Sequence, residues 1–395
     1  MRRQHQVVIV GGGTGGIAVA ARLARRRRRL DVAVVEPSPH HFYQPMWTLV
    51  GAGVVSKETT RRGEADLVPR GTTWIQDTVA RFLPDDNEIE TASGERIGYD
   101  QLVVAPGIEL DWGAIRGLEH ALGRDGVCSN YGYLECERTW QMLREFRGGT
   151  ALFTMPSPPI KCAGAPQKIA YLADDHFRRA GVRDRTRLVY AAATPGIFGV
   201  GVYARTLDGV VARKGIETLY RHEFTEVRPA THEAVFQRLD ADEEIVVSYD
   251  LLHVVPPQRA PAVVRHSPLA DERGWVDVDR ATLRHVRHPN VWSLGDASSL
   301  PTSRTGAAIR KQAPALVANL LAAIDGHTPA AAYDGYTACP LVTGYGKLVL
   351  AEFDYDLTPR PSFPIDTTRE RWSMYQLKRH ALPRYYWNGL MRGRG

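Results

Sequence analysis

The stretch Val7-Val-Ile-Val-Gly-Gly-Gly-Thr-Gly-Gly16 decides the fold of this chain. Its four β-branched residues predict a short buried strand, and the alanine-rich residues up to about 27 predict a helix directly after the glycines. A second strand over 31–35 ends at Glu36, whose carboxylate can accept hydrogen bonds from ribose hydroxyls. These features together predict a complete βαβ unit that binds an adenine dinucleotide.

Each glycine of the G-x-G-x-x-G pattern has a physical role in such a unit. Gly11 makes the tight turn after the strand, Gly13 lets a pyrophosphate approach the backbone, and Gly16 allows close packing of the helix on the strand. The pattern alone is a weak signal, but here the strand, the helix and the acidic residue all accompany it.

Two later segments favour FAD over NAD as the dinucleotide. Residues 99–107 predict a strand that ends in a tight turn at Gly107, the form of the second FAD contact in flavoproteins with two dinucleotide-binding domains. Residues 290–296 predict a strand that ends in Gly-Asp, followed by a helix from about Thr305. The N-terminus of that helix would face the flavin and stabilise its anionic reduced form.

The predicted fold is therefore α/β, with two Rossmann-like dinucleotide-binding domains of the flavoprotein disulfide reductase type. We assign 1–110 and 285–325 to a discontinuous FAD-binding domain, and 111–284 to the second Rossmann-like domain. Residues 326–395 form a C-terminal region at the membrane interface.

The second domain lacks a nicotinamide fingerprint. Its strand over 187–191 is followed by Ala-Ala-Thr-Pro-Gly, and Pro195 removes one of the amides that would bind a phosphate. NAD(P)H is therefore not the expected electron donor. The alternative interpretation is an enzyme that does accept electrons from NADH, similar to the type II NADH:quinone oxidoreductases.

Cys162 is the most informative single residue of the chain. It lies in a loop between an apolar strand at 150–153 and a helix whose first turn contains Pro166. The helix N-terminus and the adjacent Lys161 both favour the thiolate, so we expect a lowered thiol pKa and a nucleophilic cysteine. The competing interpretation is a buried structural thiol.

The composition argues against several classes of protein. The 395 residues include 44% hydrophobic and 24% charged residues, as in an ordinary soluble globular protein, and the net charge of +6 does not indicate nucleic-acid binding. Four scattered cysteines without a C-x-x-C pair predict neither a disulfide scaffold nor a metal site. We expect no signal peptide and no membrane-spanning run of about 18 apolar residues, and we place the protein at the cytoplasmic face of a membrane.

The end of the chain predicts peripheral contact with a membrane surface. Residues 369–395 contain seven cations and one anion. Large aromatic and apolar side chains interleave with these cations, which is typical of a segment that lies in a lipid interface. The alternatives are a helix packed on its own domain and a soluble enzyme without lipid contact. The side chains concerned are Trp372, Tyr375, Leu377, Leu382, Tyr386, Trp387, Leu390 and Met391.

These residues together resemble the sulfide:quinone oxidoreductases, specifically the mitochondrial-type branch and its bacterial relatives. The resemblance covers nearly the whole chain. It rests on the motifs His41-Phe-Tyr-Gln-Pro-Met-Trp-Thr-Leu-Val-Gly-Ala-Gly53, Cys128-Ser-Asn-Tyr131, Lys161-Cys-Ala-Gly-Ala-Pro-Gln-Lys-Ile169, His253-Val-Val-Pro-Pro257, Gly274-Trp-Val-Asp-Val278 and Tyr333-Asp-Gly-Tyr-Thr-Ala-Cys-Pro-Leu-Val-Thr-Gly-Tyr345.

The resemblance implies a flavoprotein that oxidises sulfide, or a small thiol or persulfide, at Cys162. Two electrons would then pass through FAD to a membrane quinone, and the tail would form the membrane anchor and the quinone entrance. The residues that the resemblance assigns to FAD are Gly11, Gly13, Thr14, Gly15, Gly16, Glu36, Gln44, Val79, Gly107 and Asp296.

One position departs from the family pattern. The family motif is Gly-Asp-Cys, whereas this chain has Gly295-Asp-Ala297. The resemblance implies that the missing cysteine pairs with the residue matched by Cys162, and an alanine can neither form a disulfide nor carry a persulfide. We therefore expect Cys162 to act without its usual partner.

Other outcomes are open at this point. Cys339 or Cys128 could replace the missing thiol, although their places in family-like motifs favour a structural role. The scaffold could instead oxidise another substrate, or the chain could be a flavin-binding sulfur sensor without turnover. The position of the other sulfurs around Cys162 separates these outcomes, because Cα atoms more than about 7 Å apart exclude a disulfide.

Overall fold

The computed structural model describes residues 3–27 and 29–394. Met1, Arg2, Arg28 and Gly395, which fall within the predicted domains, lie outside the described residues. The strands, numbered along the chain, are β1 (Arg3–Val10), β2 (Val32–Val35), β3 (His40–Phe42), β4 (Arg61–Gly63), β5 (Thr72–Ile75), β6 (Val79–Leu83), β7 (Glu88–Thr91), β8 (Arg96–Val104), β9 (Glu109–Leu110), β10 (Val127–Cys128), β11 (Gly149–Met155), β12 (Thr186–Ala192), β13 (Glu217–Tyr220), β14 (His222–Arg228), β15 (Glu233–Arg238), β16 (Glu244–Ser248), β17 (Leu251–His253), β18 (Gln258–Arg259), β19 (Val291–Ser293), β20 (Thr337–Gly344) and β21 (Lys347–Phe353).

The helices follow the same numbering, and a π-helical turn over Leu377–Ala381 joins the last two of them. They are α1 (Thr14–Arg26), α2 (Trp47–Gly51), α3 (Leu118–Ala121), α4 (Glu135–Glu145), α5 (Ala165–Arg179), α6 (Gly201–Lys214), α7 (Ala262–Arg265), α8 (Gly306–Ile324), α9 (Trp372–Gln376) and α10 (Leu382–Asn388).

The first sheet is built around β1. Its strand order is β5-β2-β1-β8-β7-β6, and β19 pairs with the C-terminal part of β8. Five of these strands are parallel, while β6 and β7 run antiparallel at one edge. The run 7–10 is buried, as expected for a parallel strand with both faces covered. Because β19 joins this sheet, residues 291–293 return to the part of the fold that begins the chain.

The second sheet is parallel throughout, with the order β10-β17-β11-β12-β13. The predicted strands at 150–153 and 187–191 lie within β11 and β12. Pro166 lies in the first turn of α5, where its missing amide costs no hydrogen bond. The predicted α/β fold with two dinucleotide-type sheets is confirmed, and the domain boundaries stay predictions.

The C-terminal region returns to the first two domains. The antiparallel pair β20–β21 packs its first strand against α5, which follows the loop of Cys162. The π-helical turn and α10 then lead to the end of the described chain, where Gly393 contacts the backbone of Ala21 in α1. The last fifth of the sequence therefore reaches both the helix after the cysteine loop and the helix after the glycine loop.

Candidate active site

The glycine loop has the geometry that its sequence predicts. Gly11 has a φ of +97°, and a Cβ there would lie 2.4 Å from the carbonyl oxygen of Ala105. A Cβ on Gly16 would lie 1.8 Å from the carbonyl oxygen of Gly11, so only glycine lets α1 pack this closely on β1. Gly13 faces open space, since a Cβ there would meet no atom within 4 Å. An anionic group can therefore approach the loop at Gly13, at the N-terminus of α1.

The carboxylate of Glu36 closes this loop from the end of β2. Its Oε2 accepts a hydrogen bond from the amide of Gly12 at 2.7 Å, and its Oε1 accepts one from the amide of Ser38 at 2.8 Å. Thr14 and Gly15 begin α1 directly beyond the loop. Glu36 thus lies beside the loop, where the ribose of a dinucleotide lies in this fold.

Two further predicted residues lie at the same edge of the first sheet. Gly107 follows β8 with a φ of +83°, and a Cβ there would meet nothing within 4 Å. Asp296 lies in the turn Gly295–Ala297 after β19. Burial raises the pKa of its carboxyl, while the charges of Lys161 and Arg304 oppose that shift. Open α/β sheets bind ligands at the carboxyl ends of their strands, which is where these residues lie.

Gln44 and Lys161 meet at this edge. The Nζ of Lys161 donates a hydrogen bond to Oε1 of Gln44 at 2.6 Å. Burial lowers the pKa of Lys161 to about 8, while the carboxylate of Asp296 opposes the shift. The structure therefore brings these three residues together. Val79 begins β6 with a buried side chain, and its role at the cofactor stays a prediction.

Cys162 is held in a left-handed backbone conformation with a φ of +52°. Such a conformation costs about 1–3 kcal/mol in a residue that has a Cβ, and it persists only where the surroundings enforce it. The amide of Cys162 donates to the carbonyl oxygen of Arg304 at 2.9 Å, and its carbonyl accepts from the amide of Ala165 at 2.7 Å. The thiol is therefore fixed directly before α5.

The thiol of Cys339 lies against that of Cys162. The two Sγ atoms are 2.7 Å apart, and both cysteines are free. Cys339 comes from β20, 177 positions later in the chain, and is buried. Because the sulfurs are in contact, the two side chains are placed to form a disulfide. The usual partner is absent at Ala297, as expected, and the structure places the thiol of Cys339 beside Cys162 in its stead.

The second thiol lies at a different place in the fold from the one that the family pattern suggested. Ala297 is buried in the turn after β19, and the second cysteine comes from the β20–β21 hairpin instead. Cys128 lies in β10 with its thiol buried, and the sulfur in contact with Cys162 is that of Cys339. The family pattern suggested a single place for the second thiol, whereas this fold supplies it from another strand.

The two cysteines share one negative charge. The hydrogen bond with Cys339 lowers the pKa of Cys162, burial opposes this shift, and the charge of Lys168 lowers the pKa further. The same hydrogen bond and burial raise the pKa of Cys339. The proton therefore stays on Cys339 and the thiolate is Cys162. The lowered pKa is as predicted, but the lysines that contribute are Lys168 and Lys378 rather than the adjacent Lys161.

Two buried lysines face the thiolate. The Nζ of Lys168, in the first turn of α5, lies 3.5 Å from Sγ of Cys162. Burial lowers its pKa, but the two cysteines outweigh burial and raise the pKa above its ordinary value. Lys378 lies in the π-helical turn and donates to the carbonyl oxygen of Pro45 at 2.6 Å. Burial, aided by the charge of Lys168, lowers the pKa of Lys378 to about 7.

Buried polar atoms near the pair indicate a missing ligand. The hydroxyl of Tyr131 and the side-chain nitrogen of Gln258 have no hydrogen-bond partner within residues 3–27 and 29–394. Both residues lie at Lys161, since Oε1 of Gln258 accepts from its amide at 2.8 Å and the ring of Tyr131 lies 5.7 Å from its Nζ. Buried groups of this kind are normally satisfied. With the open face at Gly13, they fit a flavin dinucleotide and a polar substrate.

The sequence suggested Cys339 only as one possible replacement for the missing thiol, and it did not identify Lys168 and Lys378 as site residues. The first two lie in the motifs that carry the family resemblance, so a signal was present. Lys378 lies in the basic tail, where its charge was attributed to contact with lipid. Its burial depends on the path of the chain after β21, which local sequence patterns do not encode.

Most of the aromatic tail packs on the protein. The ring of Tyr386 packs against that of Tyr43 with centroids 4.1 Å apart, whereas Trp372 is 68% exposed. Among the described residues, no helix is both long and apolar enough to cross a bilayer. The prediction of lipid contact is therefore wrong for the tail side chains that are buried, which are Tyr375, Tyr386, Trp387, Leu390 and Met391.

Known proteins are similar to this chain in sequence and in fold. A family model described as pyridine nucleotide-disulphide oxidoreductase matches residues 5–135. The mitochondrial sulfide:quinone oxidoreductase of Mus musculus is 46% identical over 364 residues, which is 92% of this chain and 81% of the relative. The mitochondrial enzyme of the same name from Dictyostelium discoideum is 43% identical over 366 residues, 92% of this chain and 80% of the relative.

Among solved structures, the sulfide:quinone oxidoreductase from Aquifex aeolicus shares the fold. It has a TM-score of 0.86 at 20% identity, covering 99% of this chain and 92% of that one. On the identity and coverage of its mitochondrial relatives, this chain belongs to the sulfide:quinone oxidoreductase family, a membership that implies a flavin cofactor.

Proposed function

We propose that this chain is an FAD-dependent sulfide:quinone oxidoreductase. It oxidises sulfide, or a small thiol or persulfide, at the Cys162–Cys339 pair and passes two electrons through FAD to a membrane quinone. The observation that carries the proposal is the distance of 2.7 Å between the two sulfurs. Two thiols in contact can change between dithiol and disulfide, which is a two-electron step and matches the capacity of a flavin.

The cofactor would lie along the edge of the first sheet. The glycine loop and Glu36 would hold its adenosine and pyrophosphate, and Gly107 and Asp296 would lie beside its other half. The side chain of Thr305 caps α8, accepting from the amide of Ala308 at 3.0 Å, so the positive end of this helix faces the same edge. When bound, FAD supplies the two-electron acceptor that returns the cysteines from dithiol to disulfide.

The cysteines themselves carry the sulfur chemistry. With the pair oxidised, HS⁻ attacks Sγ of Cys339, the S–S bond breaks and its electron pair leaves on Cys162. This direction is favoured because the thiol of lower pKa is the better leaving group, and Lys168 stabilises the resulting thiolate. Cys339 then carries a persulfide. A second thiol or HS⁻ takes its outer sulfur and leaves a proton on Cys339, so that the reduced pair, one thiolate and one thiol, holds the two electrons.

The geometry of the second domain supports sulfide over NADH as the donor. Three residues, 11–13, separate β1 from α1, whereas eight residues, 193–200, separate β12 from α6. The N-terminus of α6 is therefore not placed directly after its strand, as phosphate binding in a dinucleotide fingerprint requires. Pro195 also lacks the amide that such a loop would offer.

Sulfide is expected to bleach the flavin absorbance of the oxidised enzyme in a stopped-flow experiment without quinone, and NADH is not. The reason is that sulfide enters through the cysteine pair, while the second domain offers NADH no fingerprint. Adding a quinone should then restore the oxidised spectrum. Bleaching by NADH at a rate similar to that of sulfide would reject the proposal in favour of the NADH-dependent alternative.

We also propose that the segment 356–372 contacts the membrane, in place of the buried tail aromatics. Its residues 356–366 are all exposed, including Leu357, Phe363 and Ile365, and Trp372 follows. The segment runs beside β21, since the amide of Arg371 donates to the carbonyl oxygen of Leu348 at 2.8 Å. β21 pairs with the strand of Cys339. A quinone that arrives from lipid at this segment would thus reach the hairpin that holds the reactive thiol.

The triple variant Phe363→Ser, Ile365→Ser, Trp372→Ser is expected to bind phosphatidylcholine vesicles about tenfold or more weakly than the wild type, because three apolar anchors are lost. Vesicle co-sedimentation measures the effect. The matched control is Leu239→Ser, Val246→Ser, Val286→Ser, three exposed apolar side chains elsewhere. Equal losses in both variants, or no loss in the first, would contradict the assignment of this surface.

A further inference from the structure

A buried set of side-chain contacts joins the C-terminal helix α10 to the glycine loop. The hydroxyl of Tyr386 lies 2.7 Å from Oγ1 of Thr14 and 2.6 Å from Nε2 of His41. The Nδ1 of His41 lies 3.0 Å from the carbonyl oxygen of Gly12 and 3.2 Å from Oε2 of Glu64. The side chains of His41 and Glu64 are each 1% exposed. The contacts therefore leave the loop at Gly12 and return to it at Thr14.

A neutral His41 allows one direction for these hydrogen bonds. Both partners of Nδ1 are acceptors, so Nδ1 carries the proton. Nε2 then accepts from the hydroxyl of Tyr386, and the oxygen of Tyr386 accepts from the hydroxyl of Thr14. All members donate in the same sense around the ring, and hydrogen bonds arranged in this way strengthen one another in a buried site.

These hydrogen bonds hold the glycine loop on both sides of Gly13, the glycine that faces open space. On the opposite side, a Cβ on Gly12 would lie 2.5 Å from Oε1 of Glu64. That oxygen has no hydrogen-bond partner in the part of the chain that the structure describes. Burial raises the pKa of the Glu64 carboxyl, while the hydrogen bond with His41 opposes the shift. One face of the loop is thus packed on the protein and the other is free to bind an anion.

We propose that His41 and Tyr386 are positioning residues for the dinucleotide loop, so that FAD retention and docking of α10 are coupled. The inference rests on the proposed FAD, but it requires nothing of the sulfide chemistry. Arg392 also anchors the tail here, through a hydrogen bond to the carbonyl oxygen of Asp66 at 3.0 Å. Because such coupling is reciprocal, FAD should protect the tail and the docked tail should retain FAD.

The variant Tyr386→Phe tests this coupling, because it removes two hydrogen bonds and keeps the aromatic side chain that packs against Tyr43. The holoenzyme of this variant is expected to release FAD about tenfold faster than the wild type, measured by the rise in flavin fluorescence after dilution. The matched control is Tyr385→Phe, which removes a hydroxyl from the neighbouring position of α10 outside the ring of contacts.

A second measurement uses the wild type alone. Trypsin can cleave after Lys378, Arg379 and Arg384, and we expect this cleavage to be slower in the holoenzyme than after removal of FAD. Equal FAD release from Tyr386→Phe and Tyr385→Phe, or tail cleavage that does not depend on FAD, would overturn the coupling and leave the proposed function intact. A wild-type chain that binds no FAD would overturn both.

Discussion

Replacing Cys339 by alanine is expected to lower sulfide-dependent quinone reduction by about a thousandfold or more, as strongly as Cys162→Ala. Without Cys339, Cys162 cannot form the disulfide that sulfide attacks. Without Cys162, Cys339 has no partner that can leave as a thiolate. The double variant should be no slower than either single one, since the two sulfurs act as one unit. Steady-state reduction of a soluble quinone analogue measures all three.

Cys128→Ala is the matched control for this result. Its thiol is as deeply buried as that of Cys339, so both variants delete the same group from a packed interior. The control should keep its activity because the thiol of Cys128 interacts with Thr139 of α4 and with neither sulfur of the pair. Normal turnover in Cys339→Ala would show that Cys162 works alone and would support the single-cysteine mechanism that the sequence suggested.

The dinucleotide loop shows what local sequence can predict. Gly11 and Gly16 act within one βαβ unit, and their roles depend only on the turn after β1 and on the packing of α1 against it. The strand at 150–153, the helix that follows Cys162 and the helix near Thr305 are also local patterns, and the structure contains all three. Contacts between residues a few positions apart depend only on the local sequence. Hydrophobic periodicity and turn residues are therefore enough to predict these elements.

The cysteine pair shows where such inference fails. Cys162 and Cys339 are 177 positions apart, and their contact depends on how the β20–β21 hairpin packs against α5. Lys378 reaches the same thiolate from the tail, and Tyr386 reaches the glycine loop across 372 positions. The sequence predicts that the tail contacts lipid, because aromatic and basic residues together are typical of a membrane interface. The same composition fits burial against the protein equally well, since Lys and Tyr have apolar bodies with polar ends.

Replacing Lys168 by methionine is expected to lower kcat for sulfide-dependent quinone reduction about tenfold on the acid side of the pH profile, with recovery as the pH rises. Lys168 keeps its charge, since the cysteines raise its pKa despite burial, and its Nζ lies 3.5 Å from the thiolate. Without this charge the pKa of Cys162 rises. Electron transfer from the reduced pair depends on the thiolate and is lost as pH falls through the pKa of Cys162, so the acid limb of the kcat profile should move upward by about one unit or more.

Lys378→Met is the comparison that separates the two lysines. The pKa of Lys378 is about 7, so it is charged below neutral pH and loses its charge as the pH rises. Its removal should therefore slow the enzyme on the acid side and change little above neutral pH, whereas the loss of Lys168 affects every pH up to the shifted limb. Identical profiles for the two variants would show that the site responds only to total charge. An unchanged profile in Lys168→Met would mean that the hydrogen bond from Cys339 alone keeps Cys162 ionised.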